Sequence, residues 1–283
     1  MENENKKIIL VAYDFTKVGD IAIENATQMA KVLKFDLCLL HVINKNTRSK
    51  LKKNKETPEV LNKRLKAIAE RVKQQDQVST EFMTCQGSLF TSVAKVAREI
   101  SAKFLVFGTH GKKGIQFLLG SYALKLIKSC PVPVLVVQKP AGQTQYKDIV
   151  FPLGIEPGSK QKVKWAINFF KLFKCKFHIF IDAYKDEYVQ KKVRADHNQI
   201  KKIMDKHQIS YSSNFSPPEY SFSTNCIKFA HSTNADMIMF STDPDKITWN
   251  LFGSQDERII YNTKKIPVMC INAQDLHVII GGM

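Results

Sequence analysis

No stretch of this chain approaches the ~18–20 consecutive apolar residues that a membrane-spanning helix requires. The amino-terminal MENENKK is polar, with no apolar leader run, so a cytoplasmic protein without a signal peptide is expected. Cysteine is sparse and scattered, at Cys38, Cys85, Cys130, Cys175, Cys226 and Cys270, with no CxxC. Such cysteines read as buried free thiols in a reducing compartment, not as a disulfide framework. The seven histidines include no pair at helical spacing and no cysteine partners at ligand spacing, which argues against a zinc-type centre. The phosphate loop GxxxxGK[ST] is missing, because Gly111-Lys112 continues with Lys113, and no GxGxxG follows a strand. No nucleophile–base pair can be placed, and no aromatic platform of the RNA-binding type is present.

What the chain does have is length for two domains and an excess of positive charge. It has 283 residues and a formal net charge of +17. Up to Gln143 there are 24 Lys and Arg against 12 Asp and Glu; beyond it there are 19 against 14. The excess is concentrated in the first half, so an anionic partner is expected there, a nucleotide or a nucleic acid.

Gly108 to Ser121 reads GTHGKKGIQFLLGS, between the apolar run Phe104–Phe107 and the helix-like Tyr122–Lys128. Gly108, Gly111 and Gly114 let a backbone turn tightly and approach a ligand. Gly120 and Ser121 open a helix, whose free N–H groups and dipole favour an anion. Lys112 and Lys113 add positive charge. The stretch therefore points to a phosphate group, with a capped surface loop as the plainer alternative.

Apolar strand runs alternate with helical periodicity throughout the first half. Lys7–Tyr13, Asp36–Ile43, Val78–Cys85, Phe104–Phe107 and Val134–Val137 read as strands. Ile21–Leu33, the segment from Pro58, Leu89–Ile100 and the segment up to Cys130 read as helices. Alternation of this kind predicts βαβ units and a parallel sheet. After a polar linker at Pro140–Gln145 the pattern restarts. KDIVFPLG at Lys147–Gly154 aligns with KIILVAYD at Lys7–Asp14, 140 residues apart, and PVMCI at Pro267–Ile271 matches PVLVV at Pro133–Val137. A helix to Phe173, a strand to Asp182, a helix Lys185–His207, a strand Ile209–Phe215, a helix opened by Pro217 and Pro218, and a strand Asp236–Phe240 complete the copy. One domain is thus used twice. The expected fold class is α/β: two tandem doubly wound five-stranded parallel sheets flanked by helices. The expected domains are residues 1–141 and 145–273, with a tail at 274–283.

In such a sheet ligands bind beyond the carboxyl ends of the strands, where strand order reverses. With the order 3-2-1-4-5, Asp14 at the end of strand 1 faces Gly108 after strand 4. Asp14 is suited to accept hydrogen bonds from a ribose or to help hold hydrated Mg²⁺; a turn or N-cap aspartate is the alternative. The combination of Asp14, His41-Val42 at the end of strand 2, and GTHG…GS before PVPVLVV resembles the universal stress protein family in its tandem form, over nearly the whole chain. The resemblance implies the order 3-2-1-4-5 and, in members with a G-x2-G-x9-G-[S/T] loop, ATP binding; Mg²⁺ is expected to accompany the ATP. It implies that Asp14 meets the polar face of the nucleotide, that Val42 meets adenine through its backbone, and that Gly108, Gly111, Gly120 and Ser121 cradle the phosphates. His110, Lys112 and Tyr122, next to these in the sequence, are expected at the nucleotide as well. His110 reads equally as a loop-packing residue. Eight residues separate Gly111 from Gly120 where the family pattern has nine.

The second copy departs from the pattern. Asp14 becomes Gly154, Val42 becomes Asp182, Gly108 becomes Ser241, and Gly111 becomes Pro244, which has no N–H to donate. Asp243 and Asp245 would repel phosphate; Gly253 and Ser254 survive. ATP binding is expected in the first domain alone, with the second as a partner in a pseudo-twofold pair; a homodimer is a further option. The basic run Lys45, Arg48, Lys50, Lys52, Lys53, Lys55 reads as a solvated, partly ordered loop. The function expected is a nucleotide-dependent stress sensor or regulator. The alternatives are a slow ATPase or phosphotransfer protein, or an adaptor binding RNA or protein through its basic surface.

Overall fold

The protein is described here as a computed structural model over residues 6–109, 120–142, 146–154, 159–242 and 255–272. The chain divides into two compact units, Met1–Gly142 and Gln143–Met283.

In the first unit the strands are β1 (Ile8–Ala12), β2 (Asp36–Ile43), β3 (Thr80–Gln86), β4 (Phe104–Gly108) and β5 (Val134–Val137). All pairings are parallel, and the order is β3-β2-β1-β4-β5. Ile9, Leu10 and Val11 are consecutive and fully buried, as in a strand covered on both faces. The helices are α1 (Lys17–Leu33), α2 (Lys45–Lys53), α3 (Pro58–Asp76), α4 (Leu89–Glu99) and α5 (Gly120–Ser129). The reversal of strand order falls between β1 and β4, and α1, which leads from β1 to β2, packs against both.

Several strand and helix ends shift by a residue or two from the sequence expectation, and three larger differences each have a local reason. Helix α1 begins four residues before Ile21, because Thr16 caps it by accepting from the Gly19 amide. The run after β2 is not a loop: it forms α2, capped by Asn44, whose Oδ1 accepts from the Thr47 amide at 2.9 Å. Its Thr47 and Leu51 turn inward while its five basic residues, and Lys55 just beyond it, remain exposed. In the second unit Pro217 and Pro218 do not open a helix. Asn225 donates through Nδ2 to Ser216 Oγ and to the carbonyls of Pro217 and Tyr220, tying that segment into a turn ahead of the helix.

The second unit has β6 (Asp148–Leu153), β7 (Lys176–Ile181), β8 (Tyr211–Phe215), β9 (Met237–Thr242) and β10 (Val268–Asn272), with α6 (Ser159–Phe173), α7 (Glu187–Lys206), α8 (Phe222–Ser232) and α9 (Gln255–Ile260). Its order is β8-β7-β6-β9-β10, again all parallel. Each unit is therefore a doubly wound α/β sheet of order 3-2-1-4-5. All six cysteines are free thiols, and burial raises those of Cys38, Cys175 and Cys226 to about 12, which leaves them protonated and inert.

Candidate functional site

The chain leaves β1 at Ala12 and enters α1 at Lys17 through a tight turn. Asp14 organises that turn: its Oδ1 accepts from the Thr16 amide at 3.1 Å and from the Thr16 hydroxyl. Thr16 Oγ1 then accepts from Gly19 at 3.3 Å, so Asp14 holds the cap of α1. The turn reading of Asp14 is thereby satisfied by one oxygen only; Oδ2 has no partner among the described residues and Asp14 lines a cleft. Tyr13 donates through its hydroxyl to Asp20 at 2.8 Å, which fastens the turn to the first helical turn.

Two glycines allow α1 to lie this close. A Cβ on Gly108 would stand 1.9 Å from the carbonyl oxygen of Val18, a clash of backbone with backbone. A Cβ on Gly19 would stand 2.8 Å from Asp14 Oδ1. Gly108 thus has a packing role at the end of β4 besides any approach to a ligand. Gly19 escaped the sequence reading, which offered no sign of its contact with the turn.

The cleft encloses about 310 Å³ at the carboxyl ends of β1, β2 and β4, where the order reverses. Asp14, Val42 and Gly108 all line it. The Val42 carbonyl accepts from the Asn44 amide at 3.0 Å and from Thr47 Oγ1 at 3.5 Å. Helix α2 and the start of α3 wall its outer side with Lys50, Leu51, Leu61 and Arg64. Leu51 and Leu61 pack with Ile43, and Phe15 covers that cluster. Phe15 has φ of 59°, a left-handed backbone that costs a bulky side chain about 1–3 kcal/mol. Its ring lies 5.0 Å from that of Tyr13 and 4.8 Å from that of His41. Replacing Leu51 by Ala should cost about 2–3 kcal/mol locally. Amide exchange across α2 should then rise far more than exchange in β1; equal protection in both would show that α2 does not depend on this contact.

His41 is 6 % exposed. Its Nδ1 lies 2.8 Å from the Tyr13 carbonyl, and its Nε2 is buried without a partner. Burial is the main cause lowering its pKa below 6.5, with Lys50 adding to the effect; the Tyr13 carbonyl and Asp14 oppose it. The folded protein therefore holds fewer protons than the unfolded chain just below pH 6.5, and stability falls as pH drops through that value. A His41→Asn variant should show a flatter fall in denaturation midpoint between pH 7.5 and 5.5. An unchanged slope would assign the effect to another group.

Gly120, Ser121 and Tyr122 form the first turn of α5, on the chain that follows β4. His110, Gly111 and Lys112 lie outside the described residues, as do Asp243, Pro244, Asp245, Gly253, Ser254 and the tail. Among the described residues no group of three or more His, Cys, Asp or Glu is arranged to hold a metal ion.

The matching end of the second unit is built differently. A Cβ on Gly154 would lie 3.0 Å from the Tyr184 hydroxyl, so Tyr184 reaches into the space at that strand end. Asp182 is half buried; burial raises its carboxyl pKa, against hydrogen bonds from Tyr184 and the Ala183 amide. The ladder from β6 to β9 covers only Ile149 and Val150, whereas β1 pairs with β4 from Ile9 to Ala12. Pro152 has no N–H with which to extend it. Lys162, only 2 % exposed, donates to the Pro152 carbonyl and lies 4.3 Å over the Phe151 ring. The corresponding residue of the first unit is Ala22. Sequence reading missed Lys162 because lysine in a helix ordinarily faces water.

No curated protein matches the chain. Among solved structures it is similar to a universal stress protein from Archaeoglobus fulgidus DSM 4304, with TM-score 0.75 at 15% identity over 94% of this chain and 98% of that one. It is also similar to a putative universal stress protein from Pseudomonas aeruginosa UCBPP-PA14, with TM-score 0.66 at 13% identity over 96% of each chain. A universal stress protein solved in complex with cAMP matches 47% of this chain and 97% of its own, at 20% identity and TM-score 0.35. Residues 6–138 match the universal stress protein family itself. The strand order, the strand-end turn carrying Asp14 and the close-packed Gly108 all fall within that match, and the first unit belongs to the universal stress protein family.

Proposed function

We propose that the first unit binds an adenine nucleotide, ATP with Mg²⁺, and that the protein acts in the cytoplasm as a nucleotide-dependent stress sensor or regulator. The observation that carries this reading is the cleft at the reversal point of the first sheet. There a carboxylate oxygen of Asp14 with no partner among the described residues, a strand-end glycine and an apolar wall meet in about 310 Å³. The three parts suit the three parts of a nucleotide. Asp14 Oδ2 is an acceptor for ribose hydroxyls. Leu51, Leu61 and Phe15 offer apolar surface to a base. Gly108 at the end of β4 and the amino end of α5 would offer amides to phosphate. Asp14 would meet Mg²⁺ carried in by the nucleotide, most readily through water.

The second unit is assigned no nucleotide of this kind. Gly154 offers no carboxylate, and Tyr184 and Lys162 occupy the ends of the strands. Protein purified under native conditions and then denatured should release an adenine nucleotide, at no more than about one per chain. Release of none, together with no binding on titration, would remove this reading.

A further inference from the structure

His41 Nε2 stands out among the described polar atoms of the first unit: it is buried, it belongs to a residue lining the cleft, and it has no hydrogen-bond partner. A buried acceptor left unmatched is destabilising, so its retention at a cleft calls for a reason. The chemistry of the atom is fixed by the other side of the ring. Nδ1 faces the Tyr13 carbonyl at 2.8 Å, and a carbonyl can only accept, so Nδ1 carries the proton. In the neutral imidazole Nε2 is then a bare lone pair, able to accept and unable to donate. The charged groups that act on the ring are Asp14, after β1, and Lys50, on α2, while burial keeps it neutral.

Position along the sheet decides which ligand group could meet that lone pair. Gly108 ends β4, Asp14 follows β1 and His41 lies near the end of β2, and these strands are neighbours in that order. Adjacent strands are about 4.8 Å apart, so the three positions step across about 10 Å. A nucleotide laid along the crevice with its phosphates at β4 places its ribose at Asp14 and its base at β2. The surroundings of His41 agree: Phe15 lies against its ring, with Leu51 and Leu61 beyond, which is apolar surface suited to a flat heterocycle. The donor at the base end of an adenine nucleotide is the exocyclic 6-amino group. Access to Nε2 needs one side chain to yield. Phe15 touches the imidazole, is itself partly exposed, and sits on a strained left-handed backbone whose rearrangement relieves strain.

We infer that His41 Nε2 accepts a hydrogen bond from the 6-amino group of the bound base, making His41 a specificity-determining residue that distinguishes a 6-aminopurine from a purine lacking that donor. The inference rests on the nucleotide reading above. A site built to pair a ligand donor rejects the analogue without it, because its own buried acceptor is then left unmatched.

The test is a two-by-two comparison of affinities on the full chain. The ligands are ATP and purine riboside 5′-triphosphate, which differ by the 6-amino group alone. The proteins are wild type and His41→Asn, whose shorter amide can still donate to the Tyr13 carbonyl but leaves no acceptor at the Nε2 position. Wild type should prefer ATP by about tenfold. In His41→Asn that preference should shrink to within about twofold, with affinity for the analogue little changed. Equal affinity of wild type for the two ligands would overturn the inference while leaving nucleotide binding intact. So would a preference of the same size in the variant. If neither ligand binds wild type, the nucleotide reading falls, and this inference with it. Should His41→Asn fail to fold, His41→Ala, which likewise removes the acceptor, takes its place, and the same outcomes apply.

Discussion

Gly108→Ala should destabilise the first unit by about 3 kcal/mol, at the upper end of what inserting one methyl group into a packed interior costs. The reason lies in what the methyl meets. Its nearest neighbours would be the backbone oxygen and carbon of Val18, at 1.9 and 2.6 Å. Neither can rotate away as a side chain would, so the whole first turn of α1 must withdraw from β4. That turn is fixed in turn by Thr16, Asp14 and Tyr13, and the displacement would carry the cleft wall with it. Denaturant unfolding of the full chain should therefore show an early transition belonging to the first unit, with the second unit's transition in place. Gly154→Ala is the informative control. Its methyl would meet only the Tyr184 hydroxyl, at 3.0 Å, the far end of a side chain able to give way. A shift below about 1 kcal/mol is expected there. Equal shifts for the two variants would show that the α1–β4 approach is looser than described.

The second large effect is on binding. Asp14→Ala should weaken Mg-ATP binding by about 100-fold, since hydrogen bonds to a charged group contribute about 1.5–3 kcal/mol each. Alanine also removes the acceptor of the Thr16 amide and hydroxyl, so some loss of stability accompanies it. Asp14→Asn separates the two roles. Its amide oxygen can still accept from Thr16 while its charge is gone, and its Nδ2 cannot accept from a ribose hydroxyl. Thermal stability should stay close to wild type, with affinity down about tenfold. If the Asn variant binds ATP as wild type does, Asp14 is a turn residue only.

These expectations depend on features that differ in how plainly they are written in the sequence. The strands were legible because both-face burial demands unbroken apolar runs; Val134–Val137 is read off the sequence with the same bounds as in the structure. Repetition at 140 residues made the second unit's strand order readable from the first. Helix α2 was hidden because its charges dominate its composition, and like-charged runs are usually solvated. Yet Asn44 with Thr47 three residues on is a capping arrangement, Leu51 supplies the inward contact, and no proline intervenes before Pro58. Phe15, Gly19 and Lys162 were illegible for another reason. Each depends on a contact made only once a turn or strand has folded, or on a backbone dihedral, and no periodicity records either. The degeneracy of the second unit was visible as the loss of Asp14 and Val42 equivalents. That Tyr184 and Lys162 fill the strand ends was not, because it took the positions of α6 and β7 to bring them there.

The most direct measurement is a calorimetric titration of the full chain, stripped of bound nucleotide, with Mg-ATP. One site per chain is predicted, lost or strongly weakened in Asp14→Ala and unaffected by Tyr184→Phe in the second unit. Absence of binding, or a site that survives Asp14→Ala unchanged and disappears with a substitution in the second unit, would contradict the placement of the nucleotide in the first.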